Sequence, residues 1–133
     1  MESFTQLTAW ESGLDLVKDI YRLTKLLPPD ERFGLTSQLR RASTSILANI
    51  AEGFSRRSPA DKVHKYIIAR GECSEVMAFL MIIESIGFLQ RKEIQRSLEL
   101  SELTGRLISG LIHAHQTRVP TPNRPIAPHP IRK

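Results

Sequence analysis

Between residues 36 and 70 the sequence carries seven cations, Arg40, Arg41, Arg56, Arg57, Lys62, Lys65 and Arg70, against two acids, Glu52 and Asp61. The chemistry open to such a set is electrostatic. Guanidinium forks grip phosphate oxygens two at a time, and ammonium groups add charge along a backbone. RNA or DNA fits that chemistry, with an affinity that falls as salt rises. Few aromatic side chains interleave with the cations, so stacking on single-stranded bases is unsupported and binding without sequence preference is the expectation. The rest of the charge is uneven too. Residues 1–35 and 71–117 each carry four bases and six acids, whereas residues 118–133 carry four bases, Arg118, Arg124, Arg132 and Lys133, and no acid. The net charge of +5 thus comes from two basic regions on a mildly acidic body. A solvated face that keeps the chain soluble is the plainer reading of the same charges.

Other chemistries find less support. His64, His113, His115 and His129 are the histidines, and none stands in a Glu-x-x-His or His-x-x-x-His pair. On a helix His113 and His115 diverge by about 200°. No metal site and no cofactor is expected. Glu52, Glu72, Glu75 and Glu84 supply carboxylates, but no nucleophile with a neighbouring base accompanies them. A more economical role for Glu52, Glu72 and Glu75 is to pair with Arg40, Arg41 or Arg70. Together with Asn49 they would form a polar seam that fixes helix register. Phosphate-loop, dinucleotide-binding and zinc-type spacings are absent, so an enzyme is not expected. The lone Cys73, among apolar neighbours, reads as a small packing residue.

The elements that carry these residues read as helices. Aromatics make up only 6% of the chain, and the alternation expected of strands is missing. The central element is Gly34–Arg57. Leu39, Ala42, Ile46, Asn49 and Gly53 form one narrow seam there, with Arg41, Ser45, Glu52 and Arg56 beside it. A first helix over about 8–27 follows from the capping-box pattern Thr8-Ala9-Trp10-Glu11 and ends at Pro28-Pro29. Its apolar face reads as Trp10, Leu14, Val17, Tyr21 and Thr24 or Leu27, with Asp15, Lys18, Asp19, Arg22 and Lys25 on the other side. The second helix covers 35–55. Ser58, Pro59 and Asp61 open a third over 59–86, which Gly87 closes with Phe88 and Leu89 folding back. The third helix carries Val63, Tyr66, Ile67, Ala69, Cys73, Val76, Met77, Leu80, Ile83 and Ile86. A fourth, over about 91–117, bears two apolar rows. One runs through Ile94, Leu98, Ser101, Gly105, Ile108 and Ile112, the other through Leu100, Leu103, Leu107 and Leu111.

Four helices joined by short links make an all-α, antiparallel, up-and-down four-helix bundle over residues 1–117. One apolar row suffices for the core of a single copy. The row Leu100, Leu103, Leu107 and Leu111 is therefore the expected interface of a homo-oligomer. The proline-rich, basic segment 118–133 reads as an extended or disordered tail. No apolar run is long enough to span a bilayer, no export leader opens the chain and one cysteine cannot form an internal disulfide, so a cytoplasmic protein is expected, without a membrane partner.

The quoted residues also carry a resemblance. Leu7, Trp10 and Tyr21 are followed by Pro28, Glu31 and Gly34-Leu35. Then come Ser37-Gln38-Leu39-Arg40-Arg41-Ala42, Ser45-Ile46, Asn49-Ile50-Ala51-Glu52-Gly53 and Arg56-Arg57, and finally Ala69, Gly71 and Glu75. In this pattern the chain resembles the four-helix-bundle proteins named after the 23S ribosomal RNA intervening sequence, over about residues 4–115. Where that family commonly has Gly-Ser, this chain has Gly71-Glu72. The resemblance implies a cytosolic bundle assembled into a ring, with a pentamer as the expected form. The chain is also similar to the accessory protein of diversity-generating retroelements, a basic pentameric bundle that binds nucleic acid and a reverse transcriptase. Two functional readings follow: a nucleic-acid-binding oligomer, or an oligomeric scaffold for a protein partner in which the charge serves solubility and internal pairing.

Overall fold

In the computed structural model, which describes residues 2–116, the chain folds into four α-helices, with no strand among the described residues: α1 Thr8–Thr24, α2 Leu35–Ser55, α3 Pro59–Ile86 and α4 Arg91–Gln116. The segment read as a proline-rich tail lies outside the described residues. No helix among them is long and apolar enough to cross a membrane.

Local chemistry sets the helix ends. Ser58 Oγ accepts the backbone N–H of Asp61 at 3.1 Å, and Pro59 occupies the first turn. Gly87 closes α3 at φ 98°, a left-handed conformation that costs glycine little. The N–H groups of Gly87 and Phe88 both return to Ile83 O, and Leu89 buries just beyond.

The start of α1 differs from the expectation. Thr8 lies inside the helix, and Leu7 caps it without a side-chain bond. The capping box belongs one turn earlier, where Ser3 and Gln6 close a short 3-10 turn, Phe4–Gln6. Burial of Leu7 and edge-to-face packing of Phe4 on Trp10, with ring centroids 4.7 Å apart, anchor that entry instead. The end of α1 is also earlier than 27. Leu26 and Leu27 turn back to Leu23 O and Thr24 O, because a residue before proline is driven out of the helical region. At the start of α2, the Glu31 carboxylate accepts the N–H of Leu35 at 3.0 Å.

Cross-helix pairs establish the topology. Residues advancing along α1 meet residues receding along α4, as in Ser12–Thr104 and Asp19–Ser97. The same reversal relates α2 to α3 through Arg41–Glu75 and Ser45–Glu72, and α3 to α4 through Glu84–Arg91 and Arg70–Ser109. Thr24–Arg40 lies near the turn between α1 and α2. Each helix packs on its two neighbours, and no diagonal pair approaches as closely. This is the antiparallel up-and-down bundle. Leu16, Ile20, Leu39, Ile46, Ile50, Tyr66, Val76, Leu80, Ile94 and Ile108 fill its centre.

The inward face of α1 is rotated from its expected position. Ala9, Ser12, Gly13, Leu16, Asp19, Ile20 and Leu23 are buried, while Trp10, Leu14 and Val17 are half-buried and Tyr21 is exposed; of the expected face only Thr24 and Leu27, at its end, are buried. Serine, glycine and aspartate at inward positions disguise this stripe. On α4 the first row is largely buried. Leu100, Leu107 and Leu111 are half-buried against the chain's own core, and Leu103 keeps 37% of its surface exposed. Larger apolar exposure lies on α3, at Ile67, Ile68, Met81, Ile82 and Ile86.

Candidate nucleic-acid interface

Five of the seven cations of residues 36–70 are engaged by the chain itself. Arg40 stacks on the Tyr21 ring, 4.4 Å from its centroid, and donates to Thr24 Oγ1 at 2.9 Å. Arg41 donates to Glu75 Oε2 at 2.8 Å and stands 3.6 Å from Glu72 Oε1. Lys62 donates to Phe54 O at 2.7 Å, satisfying a carbonyl that the end of α2 leaves free. Burial pulls its ammonium below the ordinary lysine value. Lys65 pairs with Glu52 at 3.0 Å, and that hydrogen bond holds the Glu52 carboxyl below its ordinary value. Arg70 reaches Ser109 Oγ on α4 at 3.2 Å.

The polar seam is thus a network between α2 and α3. Asn49 is half-buried rather than central. It donates to Ser45 O and Ser45 Oγ within its own helix, and Ser45 Oγ passes the link on to Glu72 Oε2 at 3.3 Å. Glu72 Oε1 is buried without a hydrogen-bond partner among the described residues. Burial, reinforced by the neighbouring Glu75 carboxylate, pushes Glu72 above the ordinary carboxylate range. Glu75, bonded to Glu72 and Arg41, is held below it. The Arg41 guanidinium of α2, set between these two α3 carboxyls, holds the two helices in register.

Arg56 and Arg57 remain. Their side chains have no ion-pair or hydrogen-bond partner among the described residues, and both are exposed in the link between α2 and α3. Here the chain leaves α2 in extended conformation, with Arg56 at φ −71°, ψ 151°, and Ser58 immediately starts α3. Arg56 thereby faces the first two turns of α3 across a cleft of about 270 Å³ lined by Arg56, Asp61, His64 and Lys65. Asp61 and His64 were not among the candidates from sequence. Asp61 stands three residues before His64 and four before Lys65 on a helix that Arg56 precedes, and that spacing is the signal that would have found them.

The remaining reactive groups are quiet. Burial, with a smaller contribution from Glu72, pushes the Cys73 thiol up to about 12, so it stays protonated at neutral pH. Among the described residues no group of three or more His, Cys, Asp or Glu side chains is placed to hold a metal.

Fold and site together define a class: small antiparallel four-helix bundles with an ion-paired seam between the second and third helices and a cationic turn joining them. The sequence profile of the 23S rRNA-intervening sequence proteins matches residues 5–110, and the chain belongs to that family. A protein of unknown function from the S23 ribosomal protein family of Bacteroides thetaiotaomicron VPI-5482 has a similar solved structure. It superposes with a TM-score of 0.73 at 26% sequence identity, over 79% of this chain and 98% of that one. Among proteins of curated function none matches.

Proposed function

We propose that this chain is a non-enzymatic, self-associating four-helix bundle that binds nucleic acid without sequence preference through the end formed by the turn between α2 and α3. One observation carries the reading: of the seven cations of residues 36–70, the two left free by internal pairing, Arg56 and Arg57, are adjacent, exposed and beside a cleft that also presents Lys65. Antiparallel topology brings the end of α4 to the same end of the bundle, where His115 lies beside Tyr66 with ring centroids 5.9 Å apart. The sequence beyond it adds Arg118, Arg124, Arg132 and Lys133. Self-association, as a ring of the kind the family resemblance implies, would repeat this end around an axis, so that weak contacts add through avidity.

Fluorescence anisotropy with a labelled duplex at two salt concentrations tests the reading. Binding at low salt that weakens steeply at high salt is the expected result. Absence of binding at low salt discards the nucleic-acid role, and salt-insensitive binding discards the phosphate mechanism. A second reading, an oligomeric scaffold for a protein partner, draws on the internal engagement of Arg40, Arg41, Lys62, Lys65 and Arg70 and on the apolar side chains exposed along α3. It is favoured if the chain self-associates yet binds no nucleic acid at low salt.

A further inference from the structure

The cleft at the turn between α2 and α3 is not uniformly cationic. Asp61 lines it together with Arg56, His64 and Lys65, and its carboxylate has no hydrogen-bond or ion-pair partner among the described residues. An acid in the first turn of a helix is favoured by the helix dipole, which accounts for its presence. Beside a phosphate, however, the same carboxylate repels, unless the ligand brings a donor for it. A cleft of about 270 Å³ is slightly smaller than the ~300 Å³ at which small-ligand pockets begin, the scale of one sugar-phosphate unit rather than a whole oligonucleotide. In a nucleic-acid backbone the group that donates is the ribose 2′-hydroxyl, and DNA lacks it.

We infer that this cleft takes one ribonucleotide unit, its phosphate against Arg56 and Lys65 and its 2′-hydroxyl donating to the Asp61 carboxylate, so that the bundle prefers RNA to DNA. This rests on the nucleic-acid reading above and adds a selectivity to it. Lys65 is positioned for the task. Glu52 holds its ammonium at 3.0 Å, and an ammonium has three N–H donors, leaving others to turn toward an anion. Glu52 itself is exposed, so its carboxylate can swing aside. Arg56 supplies a fork that nothing else in the described chain occupies.

Oligouridylate and oligodeoxyuridylate of equal length isolate the 2′-hydroxyl, because their bases are identical. Anisotropy with both probes, on the full chain and at one low salt concentration, should show RNA bound about fivefold more tightly, a modest share of what a hydrogen bond to a charged group supports. Asp61→Ala, which removes the acceptor, with its fold checked by circular dichroism, should bring the two affinities together. Arg56→Ala should weaken both. Equal affinities for the wild type overturn the inference while leaving nucleic-acid binding intact. So does an Asp61→Ala variant that tightens both probes equally, since Asp61 then merely repels phosphate, or one that keeps the RNA preference unchanged. Binding of neither probe, nor of the duplex used above, removes the underlying reading as well.

Discussion

At Asp19, burial alone would raise the carboxyl's pKa, but hydrogen bonds from Arg22 Nε at 2.7 Å and Ser97 Oγ at 2.6 Å, with the charges of Arg22 and Arg96, hold it below its ordinary value of 3.8. The carboxylate is 5% exposed, so these partners act with little screening from solvent on the aspartate side. The unfolded chain therefore takes up the proton at a higher pH than the folded one. The stability that Asp19 contributes is complete above the unfolded value and is lost as pH falls through the lower, folded value. Thermal melts from neutral pH down to strong acid should show a shallower acid loss for Asp19→Asn, which cannot titrate. Asp19→Ala at neutral pH should cost about 2 kcal/mol, because it leaves the buried Ser97 hydroxyl without its partner. A parallel acid profile for wild type and Asp19→Asn would remove Asp19 from the account. Gly53 poses a separate residue-scale constraint. A Cβ there would stand 2.6 Å from Cε1 of the buried Tyr66 ring, which is too rigid to yield cheaply. Gly53→Ala is expected to destabilise by about 2 kcal/mol, read from denaturant midpoints.

At the scale of elements, α3 is the helix with a side left over. Ala60, His64, Ile67, Gly71, Ser74, Ala78, Met81, Ile82 and Ser85 recur at helical spacing along one uncharged stripe, and its large side chains are exposed. A helix of 28 residues runs about 42 Å, long enough to offer a second helix an extended line of contact. Self-association is therefore expected to run along α3 as well as past Leu103. Light scattering should give a mass above the 15.1 kDa of one chain, and Ile82→Glu should return it to that mass. The monomer fold should tolerate the change, since surface substitutions of this kind stay within about 0.5 kcal/mol. A wild-type chain that already scatters as a monomer at micromolar concentration would end the self-association proposal. This stripe was half-visible in the sequence. Ile67 and Ile86 stand there in one apolar set with the buried Val63 and Leu80, because an apolar residue at helical spacing does not say which of two adjacent faces is covered. On α1 the same ambiguity turned the face itself, and Asp19 passed for a solvent residue.

Taken whole, the molecule leaves the adjacent Arg56 and Arg57 without an internal ion-pair or hydrogen-bond partner among the described residues at the end where α2 meets α3, and on the nucleic-acid proposal salt dependence is how that shows in solution. The plot of log affinity against log salt should lose slope, by about 0.9 for each duplex phosphate contact removed, when Arg56 and Arg57 are both changed to Ala. Arg41→Ala should leave that slope nearly unchanged and act on the melting temperature instead, since its guanidinium holds α2 to α3. Equal slopes for wild type and the double variant would place the contacts elsewhere. Helix number, the signals at Ser58-Pro59 and Gly87, the bundle class and the family were determined by the sequence alone. All depend on interactions within a few residues or on short links that force neighbours side by side. The tertiary structure decided which cations are free, because Arg41 finds Glu75 thirty-four positions away and Arg70 finds Ser109 thirty-nine away. It also decided which face of α1 is inside and that Asp61 and His64 share a cleft with Arg56, since charge in a sequence has a sign but no partner until the helices pack.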